Sequence, residues 1–244
     1  MIAAGTPAYW IKLISGLALV YSLFDLLASA LGSDRGQAGH LVTAAVLAAL
    51  VAVERLLFGQ SAIASMRSLG LGPPTVRSIT IAMGLCAALI AVIPAYATPR
   101  GSTLAAYPGW QWLLPGLFAQ AGIAEVALFR GYLFNRLRHG RSFWRAAALA
   151  TGPFVLVHLI LFATMPWPVA IAAVLLSIVL SFPLAYLFEL GGNTIWAPAL
   201  LHFTVQGTIK IVDIPGDTML PLVWMAASAV IPYLAFLSRR SHVA

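Results

Sequence analysis

The sequence predicts an all-α protein, a polytopic membrane helix bundle of about eight transmembrane helices. Composition is the first observation: 61% of the residues are hydrophobic and 9% are charged, with a mean hydropathy of +0.94. Soluble domains carry about 25% charged residues, so this chain has too few charges to cover a soluble surface. The second and third observations are a series of long apolar segments and the turn-forming residues that separate them.

A helix that crosses the hydrocarbon core needs about 20 mainly apolar residues. The apolar segments in chain order are 9–31, 41–58, 76–97, 112–134, 142–165, 169–190, 194–212 and 219–237. Glycine- and proline-rich turns separate most of them, at 32–34, 70–74, 99–101, 166–168, 191–193 and 215–217. The first segment exceeds the 7–15 apolar residues of a cleavable signal peptide, so we expect a retained helix. Residues 1–244 are predicted to form a single integral membrane domain.

Lys and Arg residues indicate the orientation of the bundle. Ten fall on one side of the predicted membrane and three on the other, Arg130 lying inside a span. Cytoplasmic loops carry the excess of Lys and Arg, so both termini are predicted to be cytoplasmic, in the cell (inner) membrane. The net charge of +7 follows from this bias and requires no nucleic acid partner. The ten are Lys12, Arg55, Arg67, Arg77, Arg136, Arg138, Arg141, Arg145, Arg239 and Arg240, and the three are Arg35, Arg100 and Lys210.

Ionisable side chains inside three of the apolar segments are the candidate functional residues. Glu125, His158 and His202 lie in different segments. An ionisable group in hydrocarbon costs about 2.5–3.5 kcal/mol on insertion scales, so it is kept mainly where it faces a protein interior or a water-filled cavity. We therefore expect these side chains to converge on one polar cavity, at the midplane or in the basic half of the bundle.

Helical spacing groups further residues with these three. His202 and Gln206 are four residues apart and are predicted to share one helix face, as are Phe154 and His158. Glu125 and Arg130 are five residues apart, about 140° around a regular α-helix, so they are not expected to share a face.

Three segments of the chain resemble the CPBP family of intramembrane proteases, the Abi-type relatives of the CAAX prenyl endopeptidase. That family has Glu-Glu-x-x-x-Arg, Phe-x-x-x-His and His-x-x-x-Asn motifs on three helices of an eight-helix bundle. The resemblance covers roughly residues 112–212, the predicted catalytic motif core. The matching residues are Glu125, Arg130, Phe154, His158 and His202.

Two positions depart from the family pattern. Val126 replaces the second Glu, and Gln206 replaces the Asn. Gln206 keeps the amide but adds a methylene group. Val126 removes a carboxylate four residues before Arg130, so Arg130 is expected to have another partner, such as helix-end carbonyls, Glu189 or water.

The resemblance implies hydrolysis of a peptide bond without a covalent intermediate. Glu125 would be the general base that deprotonates water, and His158 would orient that water or donate a proton. His202 and Gln206 would stabilise the oxyanion, with Arg130 and Phe154 in supporting roles. The partners would be a lipid bilayer and a membrane-associated peptide or protein substrate.

Zinc is the alternative to metal-free water activation, with Glu125, His158 and His202 as ligands. Such a site uses its Glu as a ligand and needs a second carboxylate as base, which Val126 does not provide. No cofactor is therefore preferred, and zinc stays possible.

Two other functions stay open from the sequence. A catalytically degenerate relative would act as a scaffold or immunity-type protein, as the departures at Val126 and Gln206 allow. A proton-coupled transporter would also use buried Glu and His side chains, but the sequence has no visible internal repeat. Asp25 in the first segment is expected to pair with a polar group on a neighbouring helix, and Glu189 to lie at the membrane interface.

Overall fold

The computed structural model describes residues 6–32 and 36–238. Most of these residues are helical, turns and loops join the helices, and one pair of short strands is present among them. Strands β1 (Ala105–Ala106) and β2 (Val212–Asp213) pair antiparallel. A helical turn at Leu161–Thr164 follows α6, and 3₁₀ turns at Thr98–Arg100 and Ile231–Ser238 extend α4 and α9. The predicted all-α fold class is confirmed. The helices are α1 (Pro7–Ala30), α2 (Gly39–Phe58), α3 (Ala62–Ser68), α4 (Val76–Ala97), α5 (Trp110–Arg138), α6 (Phe143–His158), α7 (Trp167–Leu190), α8 (Trp196–Ile211) and α9 (Leu220–Val230).

Among the described residues, seven helical segments are long and apolar enough to cross a membrane, so this is an integral membrane protein. The predicted span 194–212 is present as α8, which has 16 residues. A helix of this length is about 24 Å long, less than the roughly 30 Å hydrocarbon core. The turn at Gly192 and Asn193, both with positive φ, and the start of β2 set its two ends. More than half of its residues are buried by neighbouring helices.

Side-chain caps begin several of the helices. The hydroxyls of Thr6, Thr75 and Ser142 accept backbone N–H groups in the first turns of α1, α4 and α6. The Asp217 carboxylate accepts the N–H of Leu220 at 2.9 Å where α9 begins. Each cap satisfies a backbone donor that the first turn of a helix leaves unpaired.

Basic residues gather at one end of the bundle. Arg136, near the end of α5, forms an ion pair with Glu54 near the end of α2, and Arg138 forms one with Glu189 at the end of α7. Lys12 Nζ donates to a backbone carbonyl at the end of α2, 2.7 Å away. The start of α1 and the ends of α2, α5 and α7 therefore share this end, which we call the basic end. Three basic residues of the predicted asymmetry lie outside the described residues, namely Arg35, Arg239 and Arg240.

Helix α5 is the central helix, and more than half of its apolar stretch is buried inside the protein. Its middle packs against α2 and α8, and its second half contacts α1 and α6. Gly131 permits a close backbone approach, because a Cβ at this position would lie 2.2 Å from the Leu69 carbonyl oxygen. The central position of α5 brings Glu125 between helices from separate parts of the chain.

Candidate active site

Helix α5 is not a regular α-helix around Glu125. Two π-helical segments, Phe118–Ala124 and Ala127–Phe134, lie on either side of Glu125 and Val126. The Glu125 N–H donates to the Gln120 carbonyl, five residues back. π-Helical turns are rare in proteins, and those that occur frequently lie at functional sites. The 140° angle between Glu125 and Arg130 assumed 3.6 residues per turn throughout, which these segments do not have. The side chains of Glu125 and Arg130 nevertheless have different partners.

Helix α8 places His202 and Gln206 on one face, one turn apart. His202 is 3% exposed, and its Nδ1 lies 2.8 Å from the Ala121 carbonyl oxygen in the first π segment. A carbonyl only accepts, so Nδ1 carries the proton and Nε2 of the neutral ring is an acceptor. The Gln206 amide nitrogen lies 2.8 Å from that Nε2 and donates to it. His202 is thereby held in one tautomer by groups from α5 and α8.

The Gln206 amide also reaches the Glu125 carboxylate. Gln206 Nε2 lies 3.4 Å from Glu125 Oε2, and His202 Nε2 lies 3.9 Å from the same oxygen. The Glu125 side chain is 17% exposed, whereas His202 is almost fully enclosed. Glu125 and Gln206 are therefore the members of this group that solvent or a substrate can reach, and Gln206 joins Glu125 to His202.

His158 stands at the end of α6 and approaches the site from another side. Its Nδ1 lies 2.7 Å from the Phe154 carbonyl oxygen, four residues back. This contact leaves Nε2 for a further partner. The Phe154 ring packs edge-on against the rings of His158 and Phe129, each at 4.8 Å between centroids, and against His202 at 6.2 Å. Phe154 therefore fills the space between the two histidines.

A cavity of about 280 Å³ joins these elements. Glu125, His158 and Gln206 line it, while His202 lies behind Gln206. Three polar side chains that the site prediction did not include also line it. They are Tyr21, Asp25 and Gln120.

Asp25 is the second carboxylate of the cavity, and it comes from α1. The sequence assigned it a structural partner on a neighbouring helix. No ion pair of Asp25 is present among the described residues, and its side chain is exposed. The cost of a charge inside an apolar segment is the signal that identified Glu125, and the same signal applied to Asp25. Tyr21, one turn before Asp25, carried no such signal.

The cavity extends away from the basic end. Glu125 lies near the middle of α5, but Tyr21 and Asp25 lie in the second half of α1, and His158 ends α6. The start of α1 lies at the basic end. Glu125 and His202 lie near the middle of α5 and α8, and His158 lies at the end of α6. The depth of the site in the membrane, at the midplane or in the basic half, stays a prediction.

Arg130 is almost fully buried, 1% exposed, and has no carboxylate partner among the described residues. One guanidinium nitrogen donates to the Ser181 hydroxyl at 3.2 Å, and its carbon lies 4.9 Å from the centroid of the Phe154 ring. The other terminal nitrogen, Nη1, has no hydrogen-bond partner. Glu189, proposed from the sequence as a partner, pairs with Arg138 instead.

The residues of the site do not fit a zinc ion as they are arranged. Among the described residues, no group of three or more His, Cys, Asp or Glu side chains has the arrangement of a metal site. His202 would offer a metal its Nε2, but that nitrogen accepts the Gln206 amide. Val126 supplies no carboxylate next to Glu125 in α5, and the other carboxylate of the cavity, Asp25, comes from α1. We route no chemical step through a metal.

The comparisons with known proteins agree with the resemblance predicted from the sequence. Residues 107–208 match the family described as Type II CAAX prenyl endopeptidase Rce1-like. The matched range includes Glu125, His158, His202 and Gln206, and excludes α1 with Asp25. The predicted similarity to CAAX-type proteases is therefore confirmed over this range. The search of the curated proteins gave no match, and neither did the search of the solved structures.

Proposed function

We propose, from the premise that residues 107–208 resemble the type II CAAX prenyl endopeptidases, that this protein is an intramembrane endopeptidase. Its substrate would be a membrane-associated peptide or protein, cleaved by water that Glu125 activates. The single observation that carries the proposal is the position of the Glu125 carboxylate. It lies in a cavity with His158 and Gln206, enclosed by helices that form a membrane bundle.

In this mechanism Glu125 takes a proton from a water molecule, and the hydroxide attacks the carbonyl carbon of the scissile bond. His158 orients the water through Nε2. The protonated Glu125 then gives its proton to the leaving amine as the carbon–nitrogen bond breaks. The balanced products are a carboxylic acid and an amine, and no covalent enzyme intermediate forms.

Gln206 is the oxyanion donor in this proposal. Its amide has two hydrogens, one of which is directed to His202 Nε2. The other contacts Glu125 at 3.4 Å and becomes available to the oxyanion once Glu125 is protonated. His202 carries its proton on Nδ1, so it has no N–H on the Nε2 side of its ring. We therefore treat His202 as a positioning residue that acts through Gln206, rather than as a second donor.

The remaining residues of the motifs support this geometry. Phe154 separates the two histidines and faces the Arg130 guanidinium, as the centroid distances indicate. We also propose that the protein lies in the cell membrane with both termini cytoplasmic, on the basis of the uneven distribution of Lys and Arg.

The test compares purified wild type with Glu125→Gln in liposomes, with membrane-protein digests as substrate and mass spectrometry to read new peptide ends. Asp213→Asn is the matched control, because Asp213 is an exposed carboxylate of β2 outside the cavity. We expect new ends with wild type and the control, and none with Glu125→Gln of equal thermal stability. Identical profiles for all three proteins would refute the protease and favour the scaffold function, which the departure at Val126 supports.

A further inference from the structure

A second cavity continues from the candidate active site into the seam between α1 and α6. It has a volume of about 460 Å³, and its lining is mostly apolar. Tyr21, Asp25, Val157 and Ile160 line both this groove and the site cavity, so the two spaces adjoin. The rest of the groove is lined by Ile14, Leu17, Ala18, Ser22, Pro153 and Leu156.

The groove opens on the outer surface of the bundle. Leu156 is 66% exposed, Ile160 54% and Ile14 50%. Such side chains on a membrane bundle face lipid, since bilayer hydrocarbon is their natural solvent. The Tyr21 hydroxyl crosses the seam and donates to the Val157 carbonyl at 3.3 Å. The groove therefore leads from the hydrocarbon around the protein to the edge of the cavity that holds Glu125, where this hydrogen bond bridges α1 and α6.

Asp25 stands where the groove meets the polar cavity. It is an exposed carboxylate inside a membrane-spanning helix, six residues before the C-cap Leu31, and a charge in such a helix is kept mainly where it faces a protein interior or a water-filled cavity. Both Asp25 and Glu125 lie within electrostatic range of the Tyr21 hydroxyl. Among the described residues that line the two cavities there is no Lys or Arg. Lys210 of α8, outside this lining, acts electrostatically on Glu125, whereas Asp25 forms no ion pair in the described part of the chain. A cation is therefore the electrostatic complement of Asp25.

We infer that the α1–α6 groove admits the substrate from the bilayer, and that Asp25 determines specificity by binding a Lys or Arg side chain close to the scissile bond. The apolar segment of the same peptide would occupy the groove. This inference rests on the proposed function and names its substrate class, a membrane-inserted peptide with a basic residue beside its apolar segment. The lining residues that the groove shares with the site cavity indicate the path of the substrate. The negative charge of Asp25 indicates that the flanking residue of the substrate is basic.

The experiment uses purified full-length protein in liposomes and the Glu125-dependent cleavage sites found by digest profiling. For one such site we would synthesise three peptides that differ at the flanking basic position, with Lys, uncharged norleucine or Glu. We expect wild type to show a kcat/KM about tenfold or more higher for Lys than for norleucine. Asp25→Asn should remove this preference, and Asp25→Lys should favour the Glu peptide. Asp213→Asn should retain the wild-type preference.

A second variant tests the groove without changing any charge. Leu156→Trp adds bulk at an exposed groove position and should lower kcat/KM severalfold for the membrane-inserted peptide. It should lower the cleavage of a shortened, soluble peptide less, because that peptide has no apolar segment to occupy the groove. Thermal stability of each variant is measured in the same detergent as wild type.

The outcomes separate this inference from the proposed function. Absence of any Glu125-dependent site would overturn both. Glu125-dependent cleavage with equal rates for the Lys and norleucine peptides, or a Lys preference that survives Asp25→Asn, would overturn the role of Asp25 alone. Equal loss on both the inserted and the soluble peptide with Leu156→Trp would overturn the groove as the entrance.

Discussion

Replacement of Gln206 by Met tests the proposed oxyanion donor most directly. Met has about the same length as Gln but no amide, so it removes two hydrogen bonds with little change in volume. The contact to His202 Nε2 at 2.8 Å is worth about 0.5–1.5 kcal/mol, and one to a charged acceptor about 1.5–3 kcal/mol. The distance of 3.4 Å between Gln206 Nε2 and Glu125 Oε2 places that contact at the lower limit of the range for a charged acceptor. The His202 contact is present in the ground state and the transition state alike, so its loss does not by itself change the rate. The hydrogen that contacts Glu125 passes to the oxyanion, a charged acceptor, in the transition state, and loss of that bond gives about 1.5–3 kcal/mol, or roughly 10- to 150-fold in rate.

The assay is kcat/KM on one Glu125-dependent peptide in liposomes, with thermal stability measured in parallel. Gln206→Asn is the matched variant, since it keeps the amide but retracts it by about 1.5 Å. We expect wild type to be faster than Gln206→Asn, which should be faster than Gln206→Met. If His202 acts only through Gln206, the double variant Gln206→Met/His202→Ala should be no slower than Gln206→Met alone. A Gln206→Met enzyme within threefold of wild type would refute the donor role, and additive losses would refute the positioning role of His202.

The remaining predictions concern stability, the buried arginine, metal and orientation. Gly131→Ala should lower the melting temperature, because its Cβ would lie 2.2 Å from a backbone oxygen and overpacking costs about 1–3 kcal/mol. Gly84→Ala in α4 meets nothing within 4 Å and should be neutral or stabilising; an equal loss in both would contradict the steric argument. Val126→Glu should melt no lower than wild type because it offers Arg130 a carboxylate, whereas uncharged Val126→Gln should melt lower. Unfolding of Val126→Glu in detergent would show that this buried position has no room for the pair. Activity should survive dialysis against a chelator, and one zinc per chain, lost with activity and restored by added metal, would overturn the metal-free assignment. A reporter fused after Ala244 should respond as a cytoplasmic one, and a periplasmic signal would reverse the proposed orientation.

The sequence predicted the parts of this structure that depend on local composition. Hydropathy identified the membrane spans, because each must supply its own apolar length. Burial cost and motif spacing together selected Glu125, His158 and His202 from the other ionisable residues.

The parts that depend on how helices meet were not predictable. The π segments of α5 leave no evident sequence pattern, so the helical geometry around Glu125 was assumed to be regular. The approach of α1 to α6 is a tertiary contact, and nothing in local spacing shows that Asp25 reaches the cavity of Glu125. The short length of α8 also depends on contacts between helices, because neighbouring helices rather than lipid cover most of it.

The Ala121 carbonyl has a consequence for how this site can be studied. It fixes the proton of His202, yet it is a backbone atom, and every amino acid carries it. Alanine scanning would pass over this position, and a comparison of related sequences would record only a small residue. Its contribution can be weakened by changing the main chain, for example by replacing the amide linkage after Ala121 with an ester, whose carbonyl oxygen is a poorer hydrogen-bond acceptor. The position of such a backbone group depends on the path of the helix and not on the identity of a side chain.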